Sequence, residues 1–80
     1  MRMGEVIEQI AEVCKSDSQL REIVRAVARM SLEEKDVFGS KVRRYFLNKA
    51  DKVDVEAYKF YSVILEGENS RKILKLIEEN

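Results

Sequence analysis

The 80-residue sequence contains no proline and only three glycines, and this feature constrains the backbone more than any other. Proline and glycine are the residues that most often mark turns and interrupt helices or strands. In their near absence, apolar side chains recur at intervals of three and four residues, which places them on one face of a helix. The sequence therefore predicts an all-α fold.

The apolar periodicity divides the chain into about five helices, which begin near residues 3, 19, 31, 54 and 69. Ser31 and Glu34 have the spacing of a capping box at the start of the third helix. Asp54 is a candidate N-cap for the fourth helix, and Gly67 is a candidate left-handed residue after its end. A chain of this length forms one domain, so we expect residues 1–80 to fold as a single compact bundle.

The fourth helix is apolar over more than half of its circumference, and only Glu56, Lys59 and Glu66 mark a polar strip. A helix that is apolar on nearly every side is usually a buried one. We therefore expect the fourth helix to be central. The predicted core comprises Ile7, Ile10, Cys14, Ile23, Val27, Phe38, Val42, Phe46, Tyr58, Tyr61, Ile64, Leu65, Ile73 and Ile77.

Several kinds of chemistry lack the residues that they need. Histidine is absent, and Cys14 is the only cysteine, so imidazole bases and disulfides within the chain are excluded. Cys14 falls in the apolar stripe of the first helix, where a core role is expected, because reactive thiols need a partly exposed, electropositive site. No glycine-rich phosphate loop is present. We expect no catalytic residue, no metal site and no cofactor, and hence no enzymatic activity.

The sequence also carries information about the cellular location of the protein. No apolar run approaches the roughly 18 residues that a membrane span requires, and the N-terminus lacks a signal-peptide pattern. An unpaired cysteine suits a reducing compartment. We expect a cytoplasmic protein with no membrane partner, and its 38% of charged residues is a proportion met in thermophile proteins.

The segment 38–52, FGSKVRRYFLNKADK, combines five basic residues with two aromatic ones. On a helical wheel, the aromatic residues Tyr45 and Phe46 face the core, whereas Leu47 falls on the charged side between two arginines. Arginine is enriched at protein interfaces, and a leucine beside arginines is typical of a docking site. The candidate partner-binding residues are Arg43, Arg44, Leu47 and Lys41.

Three arginines on the second helix, Arg21, Arg25 and Arg29, follow one another at intervals of four residues. Like charges at this spacing repel one another, so a compensating negative charge is expected. Nearby acids such as Glu22 are one source, and a phosphate group or an acidic partner is the other. The three arginines are therefore candidate contacts for an anionic partner.

Residues 64–77, ILEGENSRKILKLI, resemble the turn and second helix of the helix-turn-helix motif. Gly67 lies two residues before a helix cap at Asn69, and Ile73 and Ile77 follow the cap at the intervals of four and eight that the motif requires. The resemblance implies binding to DNA through the second helix. Its candidate contacts are Arg71, Lys72 and Lys75.

The overall charge bears on the choice between these functions. The chain has 15 basic and 15 acidic residues, whereas a protein that coats nucleic acid is usually basic. Apolar residues are left over on charged faces, namely Val37, Leu47 and Leu74. We expect a small non-enzymatic protein that binds another protein or a second copy of itself. The alternative is a nucleic-acid-binding regulator that uses its arginine-rich helix faces.

Overall fold

A computed structural model describes residues 3–78 and contains five α-helices in this range. They are α1 (Met3–Ser16), α2 (Ser18–Ala28), α3 (Leu32–Phe46), α4 (Lys52–Leu65) and α5 (Asn69–Glu78). The described residues form no strand, so the prediction of an all-α bundle is confirmed. No helix within this range is both long enough and apolar enough to cross a membrane.

Local capping fixes two of the helix starts. Asp17 is the N-cap of α2, and its carboxylate accepts hydrogen bonds from the backbone N–H groups of Gln19 at 3.0 Å and Leu20 at 3.1 Å. The predicted capping box of α3 is confirmed. The Glu34 N–H donates to Ser31 Oγ at 3.1 Å, and the Ser31 N–H donates to Glu34 Oε1 at 2.9 Å. These bonds satisfy backbone donors that the first turn of a helix would otherwise leave free.

The predicted residue after the C-terminal end of α4 is confirmed, but the predicted start of this helix is wrong. The helix begins at Lys52, because the N–H of Val55 already donates to the carbonyl of Asp51 at 3.0 Å. The prediction of Asp54 as the N-cap is therefore wrong by three residues. This carboxylate lies instead in the first turn, where the helix dipole favours a negative charge. After α4, Gly67 has a φ of 51°, as predicted for a left-handed residue.

The central core is built by α1, α2, α4 and α5. The helix α5 packs against the other three, whereas α3 packs chiefly on α4. Six predicted core residues, Ile10, Ile23, Phe38, Tyr61, Leu65 and Ile77, are half-buried against this core, and Phe46 is also half-buried. The buried cluster itself consists of Ile7, Ala11, Cys14, Val24, Val27, Ile64 and Ile73.

The surface of α4 departs from the prediction. Ile64 is its buried residue, whereas Val53, Val55 and Tyr58 are exposed. Part of the apolar surface of α4 therefore faces solvent, and the assignment of Tyr58, which is 37% exposed, to the core is wrong. An 80-residue chain buries a limited share of its surface and has too few elements to surround α4.

Candidate protein-interaction surface

Exposed apolar side chains are concentrated in one part of the molecule. Among the described residues, the large apolar side chains that are exposed lie between residues 32 and 58, with the single exception of Val13. We call residues 32–65, which comprise α3, α4 and their connection, the α3–α4 hairpin. Its exposed apolar side chains are Leu32, Val37, Tyr45, Leu47, Val53, Val55 and Tyr58.

Tyr45 is the clearest departure from the sequence prediction on this surface. It was expected to face the core, but 64% of its surface is exposed. The residue lies at the edge of the apolar stripe of α3. Because α3 packs chiefly on α4, none of the other helices within residues 3–78 covers this edge. The Nζ atom of Lys49 lies 4.7 Å from the centroid of the Tyr45 ring, which is a cation–π distance.

A pocket of about 560 Å³ opens beside Tyr45, between α3 and α4. Four aromatic side chains line it, namely Phe38, Tyr45, Phe46 and Tyr61. Its polar lining includes Lys41 and the half-buried Asp54. We call this cavity the Tyr45 pocket. Its aromatic walls can receive an apolar side chain, and its two charged groups can orient a polar one.

The four candidate partner-binding residues lie on the same helical segment but not on one side of it. Lys41 lines the Tyr45 pocket, whereas Arg43 lines a separate cavity of about 240 Å³ beside Tyr58. The Nη2 group of Arg43 also donates to Ser40 Oγ at 3.2 Å. Arg44 and Leu47 are exposed, and 77% of the Leu47 surface is accessible, as its place on the charged side predicted.

The arginine ladder of α2 does not form a free basic stripe. The Nη1 group of Arg21 donates to the carbonyl oxygens of Lys15 at 3.4 Å and Cys14 at 3.5 Å, at the C-terminal end of α1. These bonds satisfy acceptors that the last turn of α1 would otherwise leave free. Arg25 pairs with Glu22 at 2.6 Å, which confirms local compensation at that position. Arg29 is exposed.

The segment that resembles a helix-turn-helix places its three basic candidates on one outward strip of α5. Arg71, Lys72 and Lys75 are all exposed there. The Nε atom of Arg71 lies 3.4 Å from a carboxylate oxygen of Glu68, so part of the positive charge is neutralised locally. Leu74 packs against the core, which corrects its assignment as an apolar residue left on a charged face.

Cys14 is fully buried in the central core. Burial raises the pKa of its thiol, the nearby carboxylate of Asp17 acts in the same direction, and the guanidinium of Arg21 opposes them. The neutral thiol is thus favoured, and this form is a poor nucleophile. Within residues 3–78, no group of three or more histidine, cysteine, aspartate or glutamate side chains is arranged to hold a metal ion.

A groove between α1 and α4 is a feature that the sequence did not predict. Its volume is about 760 Å³, and its lining includes Ile10, Val13 and Phe60. It shares Ala57 and Tyr61 with the Tyr45 pocket, so the two concave surfaces adjoin. In the sequence, the wide apolar surface of α4 is the feature that points to this groove. Its shape could not be predicted, because it depends on the spacing of two helices that are far apart in the chain.

The α3–α4 hairpin is a candidate binding surface, and the groove between α1 and α4 adjoins it. The hairpin combines exposed aliphatic and aromatic side chains with an aromatic pocket and exposed basic residues. No protein-family model, curated protein or solved structure matches this chain.

Proposed function

We propose that the protein is a non-enzymatic interaction module that binds a partner protein through the α3–α4 hairpin. The concentration of exposed apolar side chains on this hairpin is the observation that supports the proposal. Single exposed apolar residues are ordinary, but a concentration of them is costly in water and is typical of protein-binding surfaces.

The chemistry of the hairpin fits this role. Tyrosine and arginine are among the side chains that most often dominate binding energy at interfaces, and Tyr45 and Arg44 are both exposed here. The Tyr45 pocket offers an aromatic cavity for an apolar side chain of the partner. Leu47 and Val53, each 77% exposed, add aliphatic surface at the end of the hairpin.

Photo-crosslinking tests the proposal directly. A benzoylphenylalanine residue introduced at Leu47 or Val53 should form a covalent adduct with a protein in the cells that express this chain. The same residue at Glu22 or Lys72, which are exposed on other helices, provides a matched control. We expect protein adducts from the hairpin positions and few from the controls. Equal yields at all four positions, or no hairpin adduct, would contradict the proposal.

Nucleic-acid binding is the second candidate function, and the exposure of Tyr45 favours it. Exposed aromatic rings beside basic residues can stack on the bases of single strands, and Lys41, Arg44 and Lys49 are exposed near Tyr45. Two observations favour protein instead. The chain has as many acidic as basic residues, and Leu47 offers an aliphatic surface with no role in stacking.

A salt titration separates the two candidates. Labelled single- and double-stranded DNA and RNA would be titrated with protein at two salt concentrations. Phosphate contacts would make log affinity fall with log salt, at a slope near 0.9 per contact on duplex DNA. Our proposal expects no binding at micromolar protein and low salt. Tight, salt-sensitive binding that is lost in an Arg43→Glu, Arg44→Glu variant would replace it with the second candidate.

A further inference from the structure

The two halves of α3 carry opposite charge. Acidic residues dominate the first half, and the second half has basic residues but no acidic one. The single base of the first half, Lys35, donates its Nζ to the carbonyl of Gly67 at 3.0 Å and is thereby drawn towards the loop before α5. The acids are Glu33, Glu34 and Asp36, and the bases of the second half are Lys41, Arg43 and Arg44.

One stripe along α3 repeats this division on the side that faces away from α4. Glu33, Val37, Ser40 and Arg44 follow one another at intervals of four, three and four residues, which is the spacing of a helix-pairing seam. All four are exposed, including Val37 at 58%. The order along the stripe is therefore acid, apolar, small and base.

We propose that two copies of this chain associate by packing this stripe of α3 against itself in an antiparallel arrangement. A two-fold axis between Val37 and Ser40 brings Glu33 opposite Arg44 of the partner subunit, and symmetry repeats the pair at the other end. Val37 then meets Ser40 of the partner subunit. The inference rests on the proposed function and specifies the partner that binds to α3.

Charge complementarity selects this arrangement over the parallel one. In a parallel pair, Glu33 would meet its own copy, and so would Arg44, and like charges brought together repel. The antiparallel pair replaces both repulsions with attractions. The small side chain of Ser40 also allows the two helix axes to approach closely around the centre.

Exposed leucines extend the contact at both ends. Leu32 precedes the stripe and Leu47 follows it, and both are exposed. In the antiparallel arrangement, Leu47 comes close to Leu32 of the partner subunit. The contact is nevertheless short, because the 15 residues of α3 span only about 22 Å at the usual helical rise. We therefore expect a weak dimer with a dissociation constant in the micromolar range or above.

A charge-swap experiment tests the arrangement. Sedimentation velocity of the full chain, from micromolar to millimolar concentration, gives the dissociation constant of each variant. Arg44→Glu places two acids opposite each other at both ends, and Glu33→Arg places two bases there. We expect either change to weaken the dimer about tenfold, which corresponds to about 1.4 kcal/mol. The double variant Glu33→Arg, Arg44→Glu restores both pairs and should recover the wild-type constant.

The control is Glu8→Arg, which makes on α1 the same change of charge as Glu33→Arg and should leave the constant unchanged. High salt should weaken the wild-type dimer, because the pairs lie at an accessible surface. A monomer at every concentration, or a double variant that fails to recover, would overturn the inference. If hairpin crosslinks to a different protein still form, the proposed function stands. If hairpin crosslinks are also absent, both the dimer and the proposed function are contradicted.

Discussion

At the scale of single residues, Gly39 offers a direct check on the packing of α3. A glycine inside a helix costs about 1 kcal/mol relative to alanine, and a close approach by another helix is one reason for such a residue. In the structure, a Cβ atom at this buried position would lie 3.5 Å from Arg43 Nη1 and 3.9 Å from Leu65 Cδ1, which are ordinary contact distances. Gly39→Ala should therefore stabilise the protein by about 0.5 to 1 kcal/mol through helix propensity. A loss of stability in urea unfolding would contradict these contact distances.

The buried thiol of Cys14 should make the stability of the protein depend on pH. The pKa of its thiol is raised by burial, whereas an unfolded cysteine ionises at about pH 8.5. Above that pH, the unfolded chain loses a proton that the folded chain retains. The contribution of this thiol to the unfolding free energy is fully present below about pH 8.5, and it is lost as the pH rises towards the pKa of the folded state. The unfolding free energy of wild type should thus fall more steeply than that of Cys14→Ala between about pH 8 and 10. Parallel profiles would contradict the burial of this thiol.

Residues at the centre of an apolar stripe could be predicted from sequence, and residues at its edge could not. Cys14, Ile64 and Ile73 are buried as predicted, because every helix packing that uses their stripe must cover them. Tyr45 and Tyr58 were assigned to the interior and are exposed. Their burial would require a further helix against the α3–α4 hairpin, and periodicity within one helix carries no information about its neighbours.

At the scale of the elements, α3 should be less stable than α5. It packs chiefly on α4, and its buried residues are Gly39 and Val42, whereas α5 packs against three helices. Regions with few buried apolar contacts open locally at lower free energy than the core does. In native-state hydrogen exchange at low protein concentration, we expect α3 amides to exchange faster than those of α5. Equal protection of both helices would contradict the weaker packing of α3.

Helix boundaries were predictable where the capping chemistry is unambiguous. Ser31 and Glu34 bond each other reciprocally, so their spacing alone located the start of α3. The start of α4 was misplaced because Asp51 and Asp54 are both acceptable N-caps, and their spacing does not show which of them is used. The structure begins the helix after Asp51, whose side chain makes no capping hydrogen bond.

At the scale of the whole molecule, the candidate surface could be predicted only in part. The exposure of Leu47 and Val37 follows from their place on the charged sides of α3. The concentration of apolar side chains on one hairpin depends on which helices cover α3 and α4, and this is set by tertiary packing. The same holds for the arginines, since Arg21 bonds to the end of α1 whereas Arg44 is exposed on the hairpin.

The central claim is that the exposed apolar side chains of the α3–α4 hairpin serve binding and not folding. The most direct test is the amount of partner captured by tagged protein in cells, compared between wild type, a Leu47→Ser, Val53→Ser variant and a Glu22→Ser, Lys72→Ser variant. The second variant is a matched control, because it makes two serine substitutions at exposed positions outside the hairpin and outside the groove that adjoins it. All three proteins should have unfolding free energies within about 0.5 kcal/mol of one another. We expect capture to fall about tenfold in the hairpin variant and to be unchanged in the control variant. Undiminished capture by the hairpin variant would contradict the account.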